Sequence, residues 1–271
     1  AEVILYRPTG ESGDFEKANF PIGVEGGKTS TCPTQNLMEA YDMKDGTPFV
    51  WNNQSNPYDN RDPRMKYTIV CNEMKWPVDP VEIWEGGTNG LPLQNATTTG
   101  YYLKKYVNNT ISFEAGSTVT KKQHNWVLFR YGEILLNYAE AMINAFHDPN
   151  YKDAVYNMSA REAVNQIRGR TNISLPGFPS DITEKDFVKR LKNERRVELA
   201  FEGHRFWDVR RWKELGQTAN IYGVKITKNN EVISYEKFLL ETRAVTDNMY
   251  FYPIPNTERF KNPNLGQNLG W

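Results

Sequence analysis

The stretch Asp186 to Leu215, DFVKRLKNERRVELAFEGHRFWDVRRWKEL, organises the reading of this chain. It predicts two helices hinged at Gly203. Thr183 is placed to cap the first helix, with Asp186 three residues on as an acid-terminated variant of the capping box, and Gly203 suits the left-handed position that stops it. At 100° per residue, Phe187, Leu191, Val197 and Phe201 share one broad apolar arc. Glu194, Glu198 and Glu202 fall inside that arc at i, i+4, i+8 spacing. Three carboxylates on a core-facing stripe are costly unless paired. The same stretch offers Arg190, Arg195, Arg196, Arg205, Arg210 and Arg211 as partners.

Two readings compete for these carboxylates. Glu194 and Glu198, roughly 6 Å apart on adjacent turns, approach the spacing of a retaining glycosidase pair. Glycosidase carboxylates face each other across a cleft, however, and nearby arginine lowers a carboxylate pKa, the wrong direction for a general acid. A structural ion-pair lattice of Glu194, Glu198 and Glu202 with Arg195 and Arg205 is the better reading. The segment NERRVELAFEGHRFWDVRRW resembles the signature helix pair of SusD/RagB proteins, glycan-capturing lipoproteins of Bacteroidetes outer membranes.

Other segments extend that resemblance from about Pro33 to Trp271. Pro33-Thr34 opens the short helix TQNLMEAYDM, capped by Thr34 and closed by a Lys44-Asp45-Gly46 turn, and NPYDNRDPRMKYTIV is similar to the family element that follows. Asn60 to Arg64 reads as a tight corner leading into a strand at Met65 to Cys71. The ending PIPNTERFKNPNLGQNLGW resembles the family's C-terminal tail, with Leu269 where a proline is usual. The resemblance implies a mainly α fold: a tetratricopeptide-like helical scaffold with a loop-rich segment and short β-hairpins. It also implies an outer-membrane, cell-surface location through an N-terminal lipidated cysteine outside this chain. A SusC-like TonB-dependent transporter is the implied partner.

Composition bounds the alternatives. The 33 basic and 33 acidic residues cancel, which argues against a nucleic-acid or acidic-membrane binder, since either needs a basic surplus. Aromatic residues make up 13%, including 7 Trp and 15 Tyr, yet mean hydropathy is −0.68. A polar but ring-rich chain suits amphipathic ligands such as sugars, or a loop-rich domain filled with Tyr and Trp. No apolar run approaches the roughly 18 residues that span a bilayer. The abrupt start at AEVILYR reads as part of a longer precursor, so the unit should be less stable alone than with neighbouring repeats. Cys32 and Cys71 lack zinc-site spacing; two separate thiols are preferred over a disulfide. His124, His147 and His204 share no spacing, so neither a metal nor a cofactor is expected.

Along the chain, residues 1–125 read as a loop-rich part with short strands, 126–216 as a helical scaffold, and 217–271 as a hairpin and tail. VLFRYGEILLNYAEAMINAF, from Val127, places Leu128, Tyr131, Leu135, Tyr138 and Met142 on one helical stripe. Ser159 with Glu162 is a capping box opening the next helix, and the two helices fit the roughly 34-residue tetratricopeptide period. GVKITKNNEVISY predicts a hairpin turning at Asn229-Asn230. Core packing is expected for Trp126, Trp207 and Trp212. Trp51, Tyr58, Trp84 and Trp76 sit instead among loop-forming residues, so they are the glycan-stacking candidates, with Asn52, Asn53 and Asp59 to bond hydroxyls. The reading is thus non-catalytic binding of an oligo- or polysaccharide. A tetratricopeptide-type peptide binder or scaffold is the alternative, and a glycoside hydrolase using Glu194 and Glu198 is the less favoured one. A platform of exposed rings favours the glycan, and a charged groove favours a peptide.

Overall fold

A computed structural model describes residues 2–52, 56–115 and 120–271. Its centre is helix α6 (Glu184–Glu198), which lies between two hydrophobic cores. One core is helical: Leu136 and Ala139 of α4 (Tyr131–Phe146), Val164 and Ile167 of α5 (Ala160–Arg168), and Phe187 and Leu191 of α6. The other gathers the loop-rich part around α2 (Gln35–Met38), α3 (Pro63–Thr68) and the short pair β2 (Ile69–Val70) and β3 (Tyr102–Leu103). Val197 of α6 reaches into this second core, as do Val224, Ile226 and Tyr235 of the C-terminal hairpin. The remaining helices are α1 (Asp14–Asn19), α7 (His204–Arg211) and α8 (Asn256–Lys261).

The caps follow from local chemistry. Thr34 accepts from the Leu37 amide, and Thr183 accepts from the Asp186 amide. Ser159 and Glu162 form a reciprocal capping box at α5, which satisfies two otherwise orphaned backbone donors.

The strands depart from expectation. Among the described residues, only β5 (Asn220–Asn229) and β6 (Val232–Thr242) form a hairpin, and it turns one residue later than expected, at Asn230-Glu231. The long strand β1 (Val3–Ser12) instead pairs antiparallel with the distant β4 (Lys122–Arg130), with Arg7 opposite Trp126 and Tyr6 opposite Val127. That pairing holds Trp126 to Arg130 extended, so α4 begins at Tyr131 and Leu128 is an exposed strand residue rather than part of a helical stripe. A non-local ladder has overridden the helical period.

Residues 65–68 also differ from the expected strand. Pro63 sits in the first turn of α3, and the Asp62 carboxylate accepts from the Arg64 amide, a strong local helix start. At its other end α6 stops with Glu198, before Gly203. Phe201 and Gly203 both take left-handed backbone, at φ +61° and +84°, so Phe201 falls outside the helix and its arc.

Loops between β2 and β3 are held by side chains. Asn72 accepts from the Ile83 amide, Asn89 accepts from the Glu82 amide, and the Tyr102 hydroxyl donates to the Asn89 carbonyl. Buried backbone groups left without a ladder need such partners. Replacing Ser159 by Ala should cost about 1 kcal/mol, a fall in Tm of roughly 2–4 °C. Thermal denaturation followed by circular dichroism checks this.

Candidate functional site

Glu194, Glu198 and Glu202 point into the protein between the two cores, with side chains 3%, 3% and 5% exposed. Glu194 pairs with Arg64 at 2.5 Å and Arg168 at 2.7 Å. Glu198 takes Arg64 at 2.8 Å, Arg130 at 2.7 Å and Arg170 at 2.7 Å. Glu202 takes Arg130 at 2.7 Å and Lys105 at 2.6 Å. The three glutamates are all paired, but not with Arg195 and Arg205: their cations come from α3, β4, the end of α5 and the residues just after it, and the loop after β3.

The two arginines expected in the lattice bond elsewhere. Arg195 pairs with Asp208 at 2.8 Å and with the Asn137 side chain, while Arg205 bonds Gln217. The reason is geometric: Arg195 is one residue from Glu194, so its helical side chain points to a different face, and Arg205 lies on α7, beyond the left-handed Gly203. Sequence reasoning missed Arg64, Arg130, Arg168 and Arg170. The signal available was the inward carboxylate stripe itself, which demands cations from whatever packs against it. Gly132 belongs to this arrangement, because a Cβ there would lie 2.6 Å from the Arg130 guanidinium.

Burial alone would raise the Glu198 pKa, yet Arg64, Arg130 and Arg170 outweigh it and hold the group at about 2. Glu194 is likewise lowered, by Arg64 and Arg168 against its burial. Cys32 and Cys71 are separate thiols, and burial pushes Cys71 up to about 12.

The ring candidates divide. Tyr58 and Trp76 are each only 6% exposed. Tyr58 packs edge-on against Tyr101 and Tyr235, and Lys104 lies over the Trp76 ring. Neither has a free face, so the expectation of sugar-stacking rings is corrected for both: each ring packs into the loop-side core together with residues such as Ile69, Val81 and Ile83, where burying a large ring is favourable. Trp51 and Trp84 are half-buried. Trp51 meets Phe49 edge-on, and the Lys228 ammonium sits over Trp84 at 4.4 Å. Asn52 and Asp59 are exposed, and Asn53 lies outside the described residues.

Trp207, expected in the core, is instead 58% exposed. Helix α7 buries Asp208 and Val209 and turns Phe206 and Trp207 outward. There they meet Tyr252, itself 60% exposed, with ring centroids 5.0–6.4 Å apart. Arg210 lies 3.5 Å over the Phe206 ring. Trp126 and Trp212 are partly buried, the latter donating to Glu140. On the outer side of α6, a groove of about 470 Å3 runs between that helix and residues 39–49, lined by Phe49, Val188, Arg196 and Arg205 among others.

The chain matches the SusD family model over residues 4–271. It belongs to the SusD family. SusD-like protein P2 of Formosa agariphila is 29% identical over 159 residues, covering 57% of this chain and 27% of that protein. SusD-like protein P38 of the same organism is 30% identical over 151 residues, 54% of this chain and 24% of that protein. A solved SusD-like protein of Bacteroides fragilis superposes over 100% of this chain and 54% of its own, at 26% identity and TM-score 0.78. A second from that species, described as a SusD-like carbohydrate binding protein, covers 98% of this chain and 54% of its own, at 24% identity and TM-score 0.76. The chain thus spans about half the length of these solved SusD-like proteins. Its fold is the SusD-like mixture of helices with a few strand pairs.

Replacing Glu198 by Gln in this SusD-family chain leaves buried arginines under-compensated and should cost about 3 kcal/mol, read by denaturant unfolding. Because the folded pKa of Glu198 is lowered from 4.5 to about 2, its contribution is complete above about pH 4.5 and drains away as pH falls toward 2. Acid unfolding of the wild type should show that loss, and the Gln variant should show less of it.

Proposed function

We propose that the protein is a non-catalytic glycan binder of the outer-membrane surface. In its full-length form it is lipid-anchored through an N-terminal cysteine and delivers oligo- or polysaccharide to a SusC-like TonB-dependent transporter. Family membership and the carbohydrate-binding description of a solved relative support this reading. The observation that carries it is the outward cluster of Phe206, Trp207 and Tyr252. Trp207 and Tyr252, held open to solvent around a Phe206 that Arg210 covers, offer ring faces on which the apolar side of a sugar can stack. Trp84 and Trp51, each half-buried, are secondary rings, with Asn52 and Asp59 as exposed polar neighbours. The packing of α4 against α5 supports a tetratricopeptide-like scaffold beneath them.

The hydrolase alternative is weakened by the pKa of Glu198, since a general acid must hold its proton near neutral pH and this group releases it at about 2. A peptide-binding reading draws on one observation, the charged groove beside α6.

Trp207→Ala should weaken oligosaccharide binding several-fold, roughly 1 kcal/mol of ring contact, with Tm unchanged. Trp51→Ala should lower Tm, because Trp51 packs against the loop-side core. Isothermal titration with the best-bound glycan and a melting curve for each variant test both. Failure of the wild type to bind any glycan would refute the function, and unchanged affinity in the Trp207 variant would refute the platform.

A further inference from the structure

The groove beside α6 holds two guanidinium groups that make no direct ion pair among the described residues. Its lining carries six cationic and four acidic side chains, and every one of the four acids is engaged: Glu39 with Lys237, Asp42 with Arg168, Glu194 in the lattice, and Glu214 with Lys192. The side chain of Arg196, partly buried in α6, makes no direct hydrogen bond or ion pair among the described residues and, of the carboxylates, feels only the more distant charge of Glu39. Arg205 donates to the neutral Gln217 side chain at 2.8 Å and likewise has no ion pair among the described residues. The buried arginines of this protein are otherwise bonded to carboxylates or carbonyl oxygens, as Arg61, Arg64 and Arg168 are.

The two groups also feel each other. Burial first, and then the charge of Arg205, bring the Arg196 pKa down to about 10. Arg196 is still a cation at neutral pH, so two like charges share one wall of the groove, and the acids near them, Glu39 for Arg196 and Glu214 and Asp208 for Arg205, are already paired with other cations. Arginine presents a planar fork of donors that matches an oxyanion in a bidentate manner. Beside the pair, Phe49, Pro48 and Val188 supply an apolar wall, and the groove volume falls within the range of small-molecule sites.

We infer that Arg196 and Arg205 form an oxyanion subsite, and that the glycan taken by this protein is acidic, its carboxylate or sulfate ester seated between the two guanidiniums. This rests on the glycan-binding reading and adds to it a class of sugar. A charge-bearing sugar fits the groove better than a peptide C-terminus because the apolar wall lies alongside the arginines, where a ring face would rest. The exposed cluster around Trp207 then engages neutral parts of the same chain.

The test uses the full chain, a glycan array holding uronate-containing, sulfated and neutral polysaccharides, and the variants Arg196→Gln and Arg205→Gln. Acidic glycans should bind at least tenfold more tightly than neutral ones of the same backbone. Arg196→Gln should abolish that difference, in keeping with loss of a charge-assisted bond. Uronates against sulfate esters, and inorganic sulfate as competitor, tell which oxyanion is taken. Removing an uncompensated, partly buried charge should leave Tm equal or raised, whereas an arginine with a structural role would lower it. Equal binding of acidic and neutral glycans, unchanged in Arg196→Gln, would overturn the subsite while leaving glycan binding intact. Binding of peptide C-termini through Arg196 with no glycan bound would overturn both.

Discussion

Three glutamates, two on the inner face of α6 and one in the turn that follows it, buried and neutralised by cations from elsewhere in the chain, are the constraint on which this structure depends. Helix α6 divides its surface between two cores, giving Phe187 and Leu191 to the helical one and Val197 to the loop-side one. The carboxylates occupy the seam between them. Carboxylates so placed are tolerable only if fully paired, so the seam closes only when α3, β4 and the end of α5 bring Arg64, Arg130, Arg168 and Arg170 to it. Apolar burial holds each core together, and the ion pairs fix how the two cores meet.

Pairing also decides what these acids can do. Arg64 bridges Glu194 and Glu198, so both are held ionised and share one cation. That arrangement stiffens the junction and removes the proton a general acid needs. The outer side of the same helix is the reverse case, with arginines facing a groove whose acids are already engaged. One face of α6 is balanced internally, and the other is left with positive charge turned toward solvent.

The aromatic residues follow a similar division. In the loop-rich part, Tyr58, Trp76, Tyr101 and Tyr102 fill a core together with aliphatic residues such as Ile69, Val81 and Ile83. Rings near Asn, Gly and Pro are therefore anchors, and their polar neighbours in sequence say little about exposure. On α7 the opposite holds. Asp208 turns inward to Arg195, and that polar contact sends the two preceding rings out.

Much was legible in the sequence alone. The caps at Thr34, Ser159 and Thr183, the inward placement of Glu194 and Glu198, the C-terminal hairpin and the family resemblance all rest on local spacing or on a contiguous motif, and both survive without knowledge of the fold; Glu202 turns inward too, but from the turn beyond the helix. The partners of the stripe, the extended conformation of Trp126 to Arg130, the burial of Tyr58 and Trp76 and the exposure of Trp207 did not. Each depends on segments far apart in the chain: β1 meeting β4, α3 meeting α6, Tyr235 closing over Tyr58. A sequence states that a buried charge needs an opposite charge, or that a ring needs a place to pack. Which residue answers is set only when the chain has folded and distance in space replaces distance along the chain.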